Sequence, residues 1–499
     1  MDLEIQTKYG KVKGFTEDGL NKWYGIPYAK PPVGELRFRP AVECEPWDGV
    51  KDCTKFKGRC IQFKLPSSPL STDSEDCLQL NIWRNNNKDE QKLPVYVWIH
   101  GGYLHTGSGI DDMYHGDSFA KNGLLYITIN YRLGPLGCYN FAIYQKDLFD
   151  SNCFLSDQIM ALKWIRDNIE AFGGDPHNVT IAGESAGSSS VCLLMASPAA
   201  KGLFHKAICQ SGPPDAYEPF EKQLKKDKIF LDEFLRELHL QPDNIEKLRQ
   251  VDIEDIQKVA LKLTQSKDDK EEDNLNIPSS VYDDLNPESL FDLVKAGKVK
   301  NIKLIIGTTH DEGTYLYSME ECPMNWKEIK SFCERYDLLA KFPDFKHLYR
   351  MLPTESEQCS QFITDHDFLV NSCFLADEVS QWSENAVWMY RFDYPPPLFK
   401  EIELNATHGC DIYISANQLE GRGQAIYEDA DPKVLKYLVD SMHGSFVQFA
   451  KTGDPNGAHL DVTWEQYERE GRKTLILNEK NEVVVNPNKE MLEVWEKPL

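Results

Sequence analysis

One stretch constrains this chain more than any other: Phe172-Gly173-Gly174-Asp175-Pro176-His177-Asn178-Val179-Thr180-Ile181-Ala182-Gly183-Glu184-Ser185-Ala186-Gly187. Its apolar, β-branched core, Val179 to Ala182, predicts a short buried strand. Gly183-Glu184-Ser185-Ala186-Gly187 follows at once, and Ser188 to Met195 predicts a helix. Strand, sharp turn and helix around Gly-x-Ser-x-Gly form the context in which a serine hydroxyl is held on a strained backbone above the end of a sheet. Gly183 and Gly187 lack a β-carbon, so strand and helix can approach closely there. The N–H of Ala186, at the helix N-terminus, points where a negative oxygen would develop. Ser185 is therefore a candidate nucleophile and Ala186 a candidate oxyanion donor. A bare pentapeptide of this type also occurs in ordinary turns, so its flanks have to decide.

The chain has 499 residues, 41% of them apolar, with 24 Phe and 22 Tyr, which is ample for a sizeable core. Its formal net charge of −24 argues against nucleic-acid binding, which needs a basic face, and against attachment to anionic membranes. The first residues, Met1-Asp2-Leu3-Glu4-Ile5-Gln6, do not form a basic segment followed by an apolar run, so no signal peptide is expected. No stretch is apolar for long enough to span a bilayer. Thirteen cysteines lack close metal-ligand spacing and are most simply reduced thiols. These readings place the chain in the cytoplasm, with no metal or organic cofactor. They leave the oligomeric state open, a monomer being the simplest reading.

The flanks then speak. Phe-Gly-Gly-Asp-Pro before the strand and Glu-Ser-Ala-Gly after it are similar to the type-B carboxylesterase pattern along its whole length. The chain thus resembles the carboxylesterase/cholinesterase family of α/β-hydrolases, closest in character to bacterial-type carboxylesterases. The resemblance implies an α/β-hydrolase fold, a large, mostly parallel twisted sheet flanked by helices, with a helical cap insertion. Residues 3–15 predict a hairpin. Tyr24 to Gly34, closing on Arg37-Phe38, is Pro-rich; it reads as a rigid extended surface loop and looks like the family's N-terminal signature. Cys60 and Cys77 bracket a Pro/Ser-rich loop, and Glu75-Asp76-Cys77-Leu78 resembles a second signature, with Gln79 and Asn85 as departures. In secreted relatives the matching cysteines form a disulfide; here a thiol pair is at least as expected. The loop has no Trp of the kind that binds quaternary ammonium in cholinesterases, which argues against a choline-ester enzyme.

Leu93 to Ile99 predicts a strand buried on both faces. It leads into His100-Gly101-Gly102-Tyr103-Leu104-His105-Thr106-Gly107, in the place of the family's oxyanion loop. The resemblance implies N–H donors at Gly102 and Tyr103, beside Ala186. Tyr103 stands where the family has a third Gly or an Ala, and a non-Gly residue reaches positive φ less easily. Leu124 to Asn130 predicts another strand, and Tyr131 to Gly137 matches a family loop. Ser156 to Phe172 predicts an amphipathic helix on Ile159, Leu162, Ile165 and Ile169, with Asp157 near its start suiting the dipole.

Ala207 to Gly212 predicts the next strand; Ser211 at its end supports the acid and histidine, or is only a polar strand-end turn. Residues 217–298 are charged with helical periodicity and predict a cap, and the run Lys267-Asp268-Asp269-Lys270-Glu271-Glu272-Asp273 a solvated loop. No linker or repeat divides the chain, so one domain, 1–499, is expected. Ile302 to Thr309 predicts a strand, and Asp311-Glu312-Gly313 comes next, a carboxylate where α/β folds place chemistry. The resemblance implies Glu312 as the acid. Val387 to Tyr394 predicts a late strand. Asn405 to Ile412 then brings His408 as the base, third in the order Ser, Glu, His, with Asp411 in place of the family's Glu. Phe446 to Asn456 matches the closing helix and loop. Tyr315 and Leu316 face the gorge or the core, and Glu184 adds charge beside Ser185 or anchors buried polar groups.

Together these readings predict a serine carboxylesterase on small-molecule esters, with Ser185, His408 and Glu312 as triad and Gly102, Tyr103 and Ala186 as oxyanion hole. A non-catalytic binding relative of the same fold and an amide hydrolase are the alternatives.

Overall fold

The apolar runs become the middle of one large sheet in the computed structural model, which describes residues 3–62, 73–87, 92–212, 220–265, 282–320, 322–382 and 384–496. Across the sheet the strands run Leu3–Gln6, Lys11–Glu17, Leu20–Pro27, Gln79–Asn85, Leu125–Ile129, Leu93–Ile99, Gly174–Glu184, Lys206–Gln210, Lys303–Thr309, Ala386–Phe392, Thr474–Leu477 and Glu482–Val484. Val50–Asp52 is added beside Lys11–Glu17. From Leu125–Ile129 to Thr474–Leu477 every neighbouring pair is parallel. The pairs along the remaining path are antiparallel.

Alternation along one strand explains the two-sided core. Val95, Val97 and Ile99 lie in one core cluster with Ile159, Leu162 and Ile165 of the helix Cys153–Asn168 and with Val191 and Leu194 of the helix Ala186–Ala196. Tyr96 and Trp98 point the other way, into a cluster with Met442, Phe446 and Phe449 of the helix Pro432–Thr452. Helices on both faces are what a parallel sheet requires. The strand Leu93–Ile99 has Leu125–Ile129 on one side and Gly174–Glu184 on the other. The direction of strand addition reverses there, and such a switch point opens a crevice at the C-terminal strand ends.

Several expectations change. The expected hairpin over 3–15 is present, with Leu3 opposite Gly14 and Gln6 opposite Lys11. Tyr24 to Pro27, however, belongs to an inner strand rather than to a surface loop. Pro27 is its last residue, so the prolines interrupt only the chain beyond the strand, and Tyr24, Ile26, Tyr28 and Ala29 are buried. Asp157 is not in the first helical turn, because the helix starts at Cys153. It is fully buried and holds Arg132, with Nη2 to Oδ1 at 2.6 Å, Nε to Oδ2 at 2.8 Å and the Arg132 N–H to Oδ2 at 3.0 Å. Breaking such a pair from one side generally costs about 3–5 kcal/mol, since it strands the other charge. The closing helix begins at Pro432, where Asp431 accepts from the Lys433 N–H at 2.8 Å, and stops at the left-handed Gly453.

Within the charged insertion lie the helices Phe220–Glu237, Ile253–Gln265 and Leu290–Lys295. Phe230 and Phe234 set their rings edge-on to Tyr139. Arg37 chelates Glu75 and donates to the carbonyls of Arg249 and Val251. The acidic run at 267–273 lies outside the described residues. Among the described residues no helix is long and apolar enough to cross a membrane.

Candidate active site

Ser185 comes directly after the strand Gly174–Glu184 and begins the helix at Ala186. Its backbone has φ 57° and ψ −127°, a conformation that a side chain makes costly, on the order of 1–3 kcal/mol. The neighbouring strand and the first turn of the helix hold it there. The Ser185 N–H donates to the Gln210 carbonyl at 2.9 Å, and the Ser185 carbonyl accepts from the Ser189 N–H at 3.0 Å. A β-carbon on Gly183 would lie 2.5 Å from the Gly187 carbonyl, and one on Gly187 would lie 2.1 Å from the Ile99 carbonyl. Both glycines are required by close backbone approach.

The loop after Leu93–Ile99 passes over this turn. A β-carbon on Gly101 would stand 2.6 Å from the Glu184 carbonyl and 3.0 Å from Ser185 Cβ. Gly102 has φ 102°, and its carbonyl accepts from the N–H groups of His105 and Thr106, each at 2.9 Å. Tyr103 and Leu104 come next with φ 56° and 60°. Tyr103 therefore does take the left-handed conformation that its side chain disfavours, and the residue is 42% exposed. His100 anchors the loop: its ring stacks on Tyr131 at 4.4 Å, Nδ1 lies 2.9 Å from the Gly101 carbonyl, and Tyr131 donates its hydroxyl to the His100 carbonyl at 2.6 Å. Burial pushes its pKa down to about 4, so the ring is neutral at physiological pH.

Glu312 and His408 meet at the adjoining strand ends. His408 Nδ1 lies 2.6 Å from Glu312 Oε2, and the other oxygen of the fully buried Glu312 accepts from the Thr309 N–H at 2.7 Å. On the far side of the ring, Nε2 lies 3.2 Å from Glu184 Oε1. Among the described residues no hydrogen bond joins Ser185 Oγ to His408. Burial by itself would lower the His408 pKa; Glu184 and Glu312 outweigh it and hold it up at about 9. Burial first, then Asp411 and Glu312, raise Glu184 to about 8, against the pull of His408. Asp411 accepts from Tyr390 Oη at 2.9 Å and from Gln210 Nε2 at 3.2 Å, and burial lifts it to about 6.

The remaining candidates divide. Among the described residues the buried Ser211 hydroxyl makes no hydrogen bond, to Glu312 and His408 included; the Ser211 N–H donates to the Gly307 carbonyl at 2.8 Å. Tyr315 places its ring 6.3 Å from that of His408, whereas Leu316 is buried in the core. Phe368, which no motif singled out, comes closer, at 4.8 Å. It sits on a π-helical turn, Thr364–Leu369, set between two α-helices, and such turns gather at functional sites. All thirteen cysteines are free, Cys60 and Cys77 included. Among the described residues no three His, Cys, Asp or Glu side chains are grouped to hold a metal ion.

A mostly parallel sheet with a strained serine turn, an acid and a histidine in that chain order at its strand ends is an α/β-hydrolase. Comparison with known proteins narrows the class. Residues 1–495 match the carboxylesterase family. The chain is 36% identical over 494 residues to the para-nitrobenzyl esterase of Bacillus subtilis (strain 168), covering 97% of each. It is 33% identical to the phenmedipham hydrolase of Pseudarthrobacter oxydans, covering 95% of this chain and 94% of that one. A solved para-nitrobenzyl esterase structure superposes over the whole of both chains with a TM-score of 0.89 at 33% identity. A Geobacillus stearothermophilus carboxylesterase does so over 99% of each, with a TM-score of 0.86 at 30% identity. The chain belongs to the carboxylesterase family.

Proposed function

We propose that the chain is a serine carboxylesterase that hydrolyses small-molecule carboxylic esters through an acyl-enzyme. The observation that carries this reading is the 2.6 Å contact of His408 Nδ1 with Glu312 Oε2 at the strand ends that also carry the left-handed Ser185. In this reading Ser185 Oγ attacks the ester carbonyl carbon and His408 Nε2 takes the hydroxyl proton. Glu312 keeps the other ring proton on Nδ1 and stabilises the imidazolium. The carbonyl electron pair moves onto oxygen, where the N–H groups of Gly102, Tyr103 and Ala186 receive it, each donor lowering the barrier by about 3 kcal/mol. In support, the N–H groups of Gly102 and Ala186 donate to no other described residue. Collapse expels the alcohol, which takes the proton from His408, and water repeats the sequence on the acyl-enzyme. Because Nε2 rests on Glu184, the ring has to exchange that carboxylate for Ser185 before each attack. We also read the chain as one domain, with the helices of the charged insertion at about 217–298 as a cap over the sheet edge.

Fluorophosphonate labelling with peptide mapping tests the reading. The expected adduct is on Ser185. A folded protein that neither labels nor hydrolyses a panel of nitrophenyl and naphthyl esters of varied acyl length is a binding protein on the same fold.

Tyr103 gives a finer test of the donor set. If its backbone N–H is the donor, Tyr103→Phe leaves kcat within about twofold, since it removes only a hydroxyl that the backbone does not need. Tyr103→Gly is expected to improve bulky esters, such as those of tertiary alcohols, relative to acetates. A loss of about 10²–10³-fold in Tyr103→Phe, with the fold intact, would make the hydroxyl the donor.

A further inference from the structure

Glu312 reaches His408 only because two loops far apart in sequence are joined. The acid loop comes after the strand Lys303–Thr309, and the histidine loop after the short helix Pro397–Glu401. On one side of Glu312, Asp311 makes a reciprocal pair with the histidine loop. Its N–H donates to the Ala406 carbonyl at 2.9 Å, and the Ala406 N–H returns to Asp311 Oδ2 at 3.1 Å. Asp311 and Thr407 also form a parallel bridge. On the other side of Glu312 stands Thr314. Its hydroxyl lies 2.6 Å from the Asp311 carbonyl, 2.7 Å from the Leu404 carbonyl and 2.7 Å from Thr407 Oγ1. It gives its one proton to a carbonyl, and Thr407 is placed to donate its own proton to Thr314 Oγ1.

These contacts bracket both members of the pair. Asp311 precedes Glu312 by one residue and Thr314 lies two residues beyond it; Leu404, Ala406 and Thr407 lie within four residues of His408. We propose that Thr314, seconded by Asp311, is a positioning residue that fastens the acid loop to the histidine loop and so sets the Glu312–His408 contact. It acts through Glu312 and His408 and touches no reacting atom. The inference rests on the serine-esterase reading above. It has a specific consequence, because a misplacement of about 1 Å at a catalytic pair costs about 10²-fold in rate.

The test is Thr314→Val, which keeps the shape and removes the hydroxyl, beside Thr314→Ser, which keeps the hydroxyl. Each is assayed on a nitrophenyl acetate, with active sites counted by the end-point of fluorophosphonate labelling. Thr314→Val is expected to lose about 10–100-fold in kcat per labelled site, with KM within about threefold; Thr314→Ser is expected to recover to within about threefold of the parent. An unchanged kcat in folded Thr314→Val, or an equal loss in both variants, would overturn the inference. Should Thr314→Val not fold, Asp311→Ala, at a partly exposed position, is read in the same way: a fall in kcat at constant KM supports the fastening, and an unchanged kcat overturns it. A parent protein that neither labels nor turns over overturns the esterase reading instead, so the two failures are told apart.

Discussion

Ser185→Ala is expected to lose about 10⁴-fold or more in kcat on any ester that the parent protein hydrolyses, because no other group at that position can form an acyl-enzyme. Removing a triad nucleophile elsewhere costs up to about 10⁶-fold, and the remainder is what the oxyanion donors and binding supply. The fold should survive, since the strained backbone of Ser185 is imposed by the Gln210 and Ser189 bonds and by close glycine packing rather than by the hydroxyl. Alanine pays the same backbone cost as serine there. Residual activity above about a hundredth of the parent, with an unchanged melting transition, would remove Ser185 from the mechanism.

The second large effect is one of pH. A general base has to be neutral, and the ordinary histidine pKa is about 6.5. Here Glu184 and Glu312 outweigh burial and hold His408 at about 9, so the charged ring persists well above neutrality. Hence kcat/KM should rise with pH on a limb displaced above that of an ordinary histidine, and level off beyond it. Glu184 is itself raised to about 8, and Asp411 also faces the pair. The limb therefore belongs to the coupled groups rather than to one residue. Glu184→Gln removes the carboxylate beside Nε2 and should move the limb toward lower pH, so that the variant gains on the parent on the acid side of the parent's limb and not on its plateau. The pH–rate profiles of both proteins on one neutral nitrophenyl ester decide it. Superimposable limbs would mean that Glu184 does not hold the base.

Features that are local in the chain were legible in the sequence. The serine turn is local: glycine spacing, an apolar run and a helix start lie within sixteen residues, and both its geometry and its place in the sheet could be read. The strands at 93–99, 125–129 and 303–309 were legible because strands buried on both faces are continuously apolar. Strand-end position and chain order pointed toward Glu312 and His408, but their pairing was reachable only through the family resemblance, since nothing within either loop announces a contact across 96 residues. Asp157 shows the limit from the other side. A carboxylate near a helix start has a sufficient local explanation, yet its partner, Arg132, comes from a different loop. Phe368 carried no signal, because an aromatic residue in an apolar helix looks like core. The hold of Glu184 on Nε2 was invisible for the same reason as the fastening at Thr314: each is a side-chain distance between elements that meet only in the finished sheet.

The strained serine turn also bears on how the chain folds. Nothing within the turn favours a left-handed serine; an isolated strand–turn–helix peptide would relax away from it. Beyond the local Ser189 bond, the bond that imposes it comes from Gln210 on one neighbouring strand, and the wall that crowds Gly183 and Gly187 around it comes from Ile99 on the other. The Ser185 turn is therefore assembled only when three parallel strands, drawn from more than a hundred residues of chain, have docked in register. Collapsed states with helices already formed would lack it, and recovery of reactivity during refolding would lag behind recovery of helical signal. The strained conformation of the turn is in that sense a report on the sheet, present only once the strands around it are complete.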